Sequence, residues 1–131
     1  MSKMHFSKIN SFLFIGFVTL FIMLASCKKA VENKLIGKWT VVNVNDINSS
    51  YTEQWEFTKE QKVYISVIGS PTDTGQYITN VKLGKKYVEI ADCNLESNNH
   101  KWRIMKLTKK DMHLIIETDH GLTFKEFVKA P

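Results

Sequence analysis

A chain of 131 residues has room for one domain. Hydrophobic residues make up 44% and charged residues 24%, which is ordinary globular usage and excludes a disordered or collagen-like chain. The formal net charge of +5 comes from lysines scattered along the chain, with pairs at Lys28-Lys29, Lys85-Lys86 and Lys109-Lys110, and so reads as solvation and argues against a nucleic-acid partner.

The apolar residues are concentrated at the N-terminus. Residues 1–26 carry Lys3 and Lys8 and no acid. Phe12 to Leu24 is a run of 13 residues without a charge. That length suits the core of a helical signal peptide, about 7–15 residues, and falls short of the roughly 20 that cross a bilayer as a stable helix. The following residues, Leu24-Ala25-Ser26-Cys27, match the lipobox of bacterial lipoproteins at every position. The resemblance implies cleavage before Cys27, a diacylglycerol thioether on its sulfur and acylation of the new amino terminus. Ala25 and Ser26 are small enough for a narrow protease site, and only a thiol gives the stable thioether. Each buried CH₂ contributes about 0.8 kcal/mol, so two or more acyl chains hold a protein on the membrane unaided. Lys28 stands where an Asp signals retention in the inner membrane. The resemblance therefore implies a cell-envelope protein at the outer membrane. An uncleaved signal anchor with a coincidental cysteine is the alternative.

Maturation of this kind removes two lysines and leaves 16 bases against 13 acids, a net charge of +3. It also consumes Cys27, which leaves Cys93 with no intramolecular partner. A single thiol in an oxidising compartment is tolerated best when buried, so Cys93 reads as a small core hydrophobe. Lys28 to Lys34 reads as a short polar tether, about 25 Å if fully extended.

From Leu35 onward, short runs rich in Val, Ile, Thr and aromatics alternate with turn chemistry. The expected strands are Leu35 to Asn45, Tyr51 to Thr58, Lys62 to Ile68, Gly75 to Val81, Lys86 to Asp92, His100 to Thr108, Met112 to Thr118 and Leu122 to Lys129. Gly69 to Thr74 and Asn94 to Asn99 are the clearest loops. Strands at this spacing describe a meander of hairpins. Closing eight of them removes the two exposed edges, so the expected fold is all-β: an eight-stranded antiparallel up-and-down barrel over residues 35–131. A two-sheet sandwich is the alternative, and its crossings need longer connections.

The first strand opens with Leu35-Ile36-Gly37-Lys38-Trp39. A Gly-x-Trp at the head of an eight-strand meander resembles the signature of the lipocalin superfamily. Trp55-Glu56-Phe57-Thr58 and the segment from Trp102 to Leu114 resemble the small lipocalin-like domains that follow lipoboxes. The resemblance implies that Gly37 permits a close backbone approach and that Trp39 plugs the closed end. It also implies a basic residue stacked on Trp39, for which Lys125, Lys129 and Arg103 all qualify. Classical members are longer, with a C-terminal helix and disulfides; here the sequence ends at Pro131 directly after its last expected strand, and Cys93 alone is expected to form no disulfide.

The search for chemistry finds little. His100, His113 and His120 have no metal-ligand spacing, so no metal or cofactor is expected. Cys93 and His100 form a conceivable nucleophile pair without an identifiable third group, and no enzyme activity is expected. Glu53 and Glu56 have opposite strand parity and cannot act as a carboxylate pair. Trp39, Trp55, Phe57, Tyr77, Tyr87, Trp102 and Phe124 are assigned to the inward face. They read first as core, and second as the lining of an apolar pocket at the open end. Two partners follow from these readings besides the membrane reached through Cys27. One is a small apolar ligand; the other is an envelope protein contacted by the loops.

Overall fold

The computed structural model describes residues 3–42, 52–119 and 121–131. A helix, α1 (Lys3–Leu35), leads into eight strands: β1 (Gly37–Val42), β2 (Glu53–Phe57), β3 (Lys62–Val67), β4 (Asp73–Lys82), β5 (Lys85–Ala91), β6 (Lys101–Leu107), β7 (Asp111–Thr118) and β8 (Gly121–Lys129). Each strand pairs antiparallel with the next, and β8 returns to pair with β1. The sheet is thus a closed up-and-down barrel, and the sandwich alternative is excluded. The expected ends of the first strand (at Asn45) and start of the second (at Tyr51) lie outside the described residues, as does His120.

Local chemistry explains the turns. Leu83 and Gly84, between β4 and β5, both take positive φ, 52° and 74°, the pairing of a tight hairpin whose twist matches its strands. A bulge between Ile104 and Lys106 shifts the β6–β7 register, so Ile104 faces Leu114 and Leu107 faces Met112. Trp102, Ile104 and Leu107 on β6 and Met112, Leu114 and Ile116 on β7 thus keep apolar side chains toward the core.

The structure corrects two readings at the start of the domain. Leu35 and Ile36 are not strand, and Lys28 to Lys34 is not an extended tether. The α1 helix runs through both Cys27 and this segment to Leu35. Val31 and Leu35 lie four residues apart on one helix face and are buried, at 3% and 0% exposure. That face seals the end of the barrel at which β1 begins. Thr79 Oγ1 donates to Glu32 Oε1 at 3.1 Å, tying the helix to β4.

Trp39 completes the seal. Its Nε1 donates to the Leu35 carbonyl at 2.7 Å. The Lys129 ammonium lies 4.3 Å from the centre of its ring and donates to the Ile36 carbonyl at 2.5 Å. Of the three basic residues that qualified, Lys129 therefore covers Trp39. Burial lowers the Lys129 pKa from its ordinary value. Gly37 has φ +125°, and a Cβ there would fall 2.7 Å from Lys129 Cε and Nζ. Glycine is needed at this position both for the backbone and for the lysine beside it.

The rest of the core is aromatic. Phe57 meets Tyr77 edge to face at 5.0 Å, and Trp55 meets Phe127 at 5.0 Å. Gly75, on the inner face of β4, provides room for Cys93. A Cβ at Gly75 would overlap the Cys93 thiol and lie 2.7 Å from the Ala91 carbonyl oxygen. Gly75→Ala is expected to destabilise the fold by about 1–3 kcal/mol, measured as a lower urea midpoint by tryptophan fluorescence. Wild-type stability in that variant would show that the β4–β5 corner is not packed as described.

Candidate functional site

Among the described residues, the end of the barrel away from α1 is partly open. There the inner face holds a cup of about 470 Å³. Trp55, Ile65 and Val67 line one side, Trp102 and Ile116 the other, with Leu95 and Pro71 at the rim. Strand alternation places the five wall residues, since each sits on the inward parity of its strand, and the connecting loops supply Leu95 and Pro71. Trp55 and Trp102 stand edge to face, 5.7 Å apart at 75°.

Three charged side chains shape this cup, among further polar residues of its rim. Lys125 Nζ donates to both Glu53 oxygens, at 2.8 and 2.7 Å. Trp55 Nε1 donates to Glu53 Oε1 at 2.7 Å. The Lys125 ammonium also lies 5.7 Å from the Trp55 ring centre. Glu53 and Lys125 thus neutralise each other inside the wall. Trp102 differs: its Nε1 is the buried side-chain donor left without a hydrogen-bond partner among the described residues.

The third charged side chain, Asp73, organises the rim. It is 4% exposed. Its carboxylate accepts from the Asn94 and Leu95 backbone N–H groups at 2.8 and 3.0 Å and from Asn98 Nδ2 at 2.9 Å. The rim loop is further tied by Asn99, which accepts from the Cys93 N–H and donates to the Cys93 carbonyl. Burial raises the Asp73 pKa, but the bonds from Asn98, Leu95, Asn94 and Thr74 together outweigh it and hold the carboxyl below its ordinary value.

The seven aromatic positions divide into three groups. Trp39, Phe57 and Tyr77 are buried core toward the sealed end. The Tyr77 hydroxyl donates to the Thr58 carbonyl at 2.7 Å, and burial, with Glu32 and Glu60 nearby, pushes its pKa up to about 12. Trp55 and Trp102 reach the cup. Tyr87 and Phe124 do not face inward at all, which corrects the assignment. On β5 the inward residues are Val88 and Ile90, and Tyr87 lies half-buried outside with Lys101 4.8 Å over its ring. On β8 the inward residue is Phe127, and Phe124 is 61% exposed. Sequence reasoning also missed Asp73 and the Glu53–Lys125 pair as interior groups. Parity was the available signal for Lys125, because it shares its strand face with Phe127 and Lys129.

Among the described residues, Cys93 does not have the setting of a reactive nucleophile. Cys93 is buried and unbonded to Cys27. Burial, with Asp73 and Asp92 beside it, pushes the Cys93 thiol up, opposite to the depressed pKa of a reactive thiolate. His100 stands edge-on to Trp102, 6.2 Å between ring centres, and His113 lies on the outward parity of β7. Among the described residues no group of three or more His, Cys, Asp or Glu side chains is placed to hold a metal ion. No family model, curated protein or solved structure matches the chain significantly.

Asp73 gives a pH test of the rim. Its folded pKa lies below its unfolded one, so its stabilising contribution is present above about pH 3.9 and is lost as pH falls through the folded value. Asp73→Asn is expected to lower stability at neutral pH by about 1–3 kcal/mol and to flatten this acid limb in urea titrations. An acid limb as steep as in the wild type would remove Asp73 from that role.

Proposed function

We propose that this chain is a lipid-anchored envelope protein whose lipocalin-like barrel binds a small apolar ligand in the open-end cup. The observation that carries the binding reading is the cup itself. Its volume of about 470 Å³ falls within the range of small-molecule sites, about 300–1,000 Å³. Its walls are mainly apolar and aromatic, while the opposite end is sealed by Trp39 and α1. Lys129 over Trp39, with Gly37 making room for it, supports the lipocalin resemblance residue by residue.

The anchor reading rests on the apolar helix and the Leu24-Ala25-Ser26-Cys27 sequence. Asn10–Leu35 is long and apolar enough to cross a membrane by length and composition, a test that signal sequences also pass. Cys27 is exposed on this helix. With lipid on that sulfur, the protein belongs to the cell envelope, at the outer membrane given Lys28. Mass spectrometry of the membrane-extracted protein is expected to find Cys27 as the first residue, bearing diacylglycerol and an amide-linked acyl chain. Cys27→Ser should retain residues 1–26 and take up no labelled palmitate. An intact N-terminus in the wild type would instead identify an uncleaved anchor.

A second reading, an interaction module for another envelope protein, draws support from the outer wall. Ile78, Met105, Leu122 and Phe124 are each more than half exposed there. The two readings separate on one comparison. The ligand reading expects tryptophan fluorescence of the gently extracted protein to respond to apolar probes, with loss on Ile116→Lys, whose charge would enter the cup. The module reading expects that response to be absent and a stoichiometric partner in crosslinked membranes.

A further inference from the structure

Resting on the ligand-binding reading, we infer that the guest is an apolar molecule carrying a neutral carbonyl-type acceptor, and that Trp102 Nε1 is the donor that receives it. The chain has three tryptophans, and two have their indole N–H groups engaged: Trp39 with Leu35 and Trp55 with Glu53. Trp102 is 3% exposed, forms part of the cup, and has an N–H with no partner. A buried donor without an acceptor is costly, and that cost is recovered when a partner arrives. An apolar guest with an acceptor recovers it, whereas a pure hydrocarbon does not.

The charge of the lining selects the kind of acceptor. Glu53 and Asp73 bring two carboxylates to the cup, against the single ammonium of Lys125. That ammonium is already held by both Glu53 oxygens. A guest carboxylate would have to compete with Glu53 for it, beside a second fixed negative charge at Asp73. A ketone, ester or amide oxygen accepts the indole N–H without that repulsion. The donor is shut off from solvent, with the half-buried His100 ring edge-on to Trp102. Contact of the guest with this N–H therefore requires a small side-chain movement beside Trp102.

The test uses the full chain in lipid nanodiscs with ¹⁵N-labelled indoles, so that each tryptophan reports separately. The probes are octan-2-one, octanoate and octane, compared between wild type and Trp102→Phe at equal free concentration to cancel partition into lipid. Octan-2-one is expected to move the Trp102 indole proton downfield and to bind the wild type about tenfold more tightly than the variant. Octane should bind both proteins equally, and octanoate should bind the wild type more weakly than the ketone. Unchanged Trp39 and Trp55 indole signals in the variant establish that the barrel is intact. Equal affinity of the ketone for both proteins, with an unmoved Trp102 signal, would overturn the donor role while leaving the cup as a binding site. Tighter binding of octanoate than of the ketone would overturn the neutral class. Failure of all three probes to perturb the cup would overturn the ligand reading itself, and this inference with it.

Discussion

The contact on which the rest of this structure depends is the one between Trp39, Lys129 and the end of α1. A barrel of short strands must be shut at one end before its interior can be dry. Here the shutter is an indole whose N–H bonds to the last helical carbonyl and whose face is covered by an ammonium from the final strand. The same lysine bonds the carbonyl that follows the helix, so it also ties the final strand to the start of the domain. Because β1 and β8 are also the closing pair of the sheet, this contact lies at the seam where the barrel would otherwise open.

Above that seam the interior changes character. Near the helix it is filled by Phe57, Tyr77 and their neighbours, with Phe57 and Tyr77 in edge-to-face contact. Toward the mouth the aromatic packing thins to Trp55 and Trp102, and polar groups enter the wall. Placing Glu53 and Lys125 there is tolerable because each satisfies the other and Trp55 supplies a further hydrogen bond. Asp73 is held by backbone donors of the loop it organises. The mouth is thus built from paired polar groups on an apolar ground, with Trp102 the exception.

Much of this was legible in the sequence. Eight strand positions and the closed meander follow from β-rich runs between turns, and the lipocalin resemblance of the Gly-x-Trp at Gly37 implies the plug role of Trp39. The errors have physical causes. On β8 the more apolar phase, Leu122, Phe124 and Val128, points outward, while the inward phase carries two lysines that serve as a lid on Trp39 and a partner for Glu53. Hydrophobicity alone selects the wrong face there, whereas placing Lys129 on Trp39 would have set the parity and placed Phe127 inside. Tyr87 failed for a related reason, since its ring is covered by Lys101 on the outside of the sheet. The tether misled because Val31 and Leu35 are too few to announce an amphipathic helix, and only the barrel end they cover explains them. The cup volume and the unpaired Trp102 N–H depend on how side chains pack in three dimensions, and no local pattern encodes them.

The unbroken helix through Cys27 also bears on how a guest would be supplied. Eight residues of helix separate Cys27 from Leu35, a rise of roughly 12 Å. They form a stiff strut in place of a slack leash. For an acylated Cys27, the sealed end is therefore the end of the barrel nearer the anchor, and the mouth lies at the other end of the strands. Under the proposed reading, a guest would then enter at the end away from the lipid-bearing cysteine, which makes the aqueous side its direct source of supply.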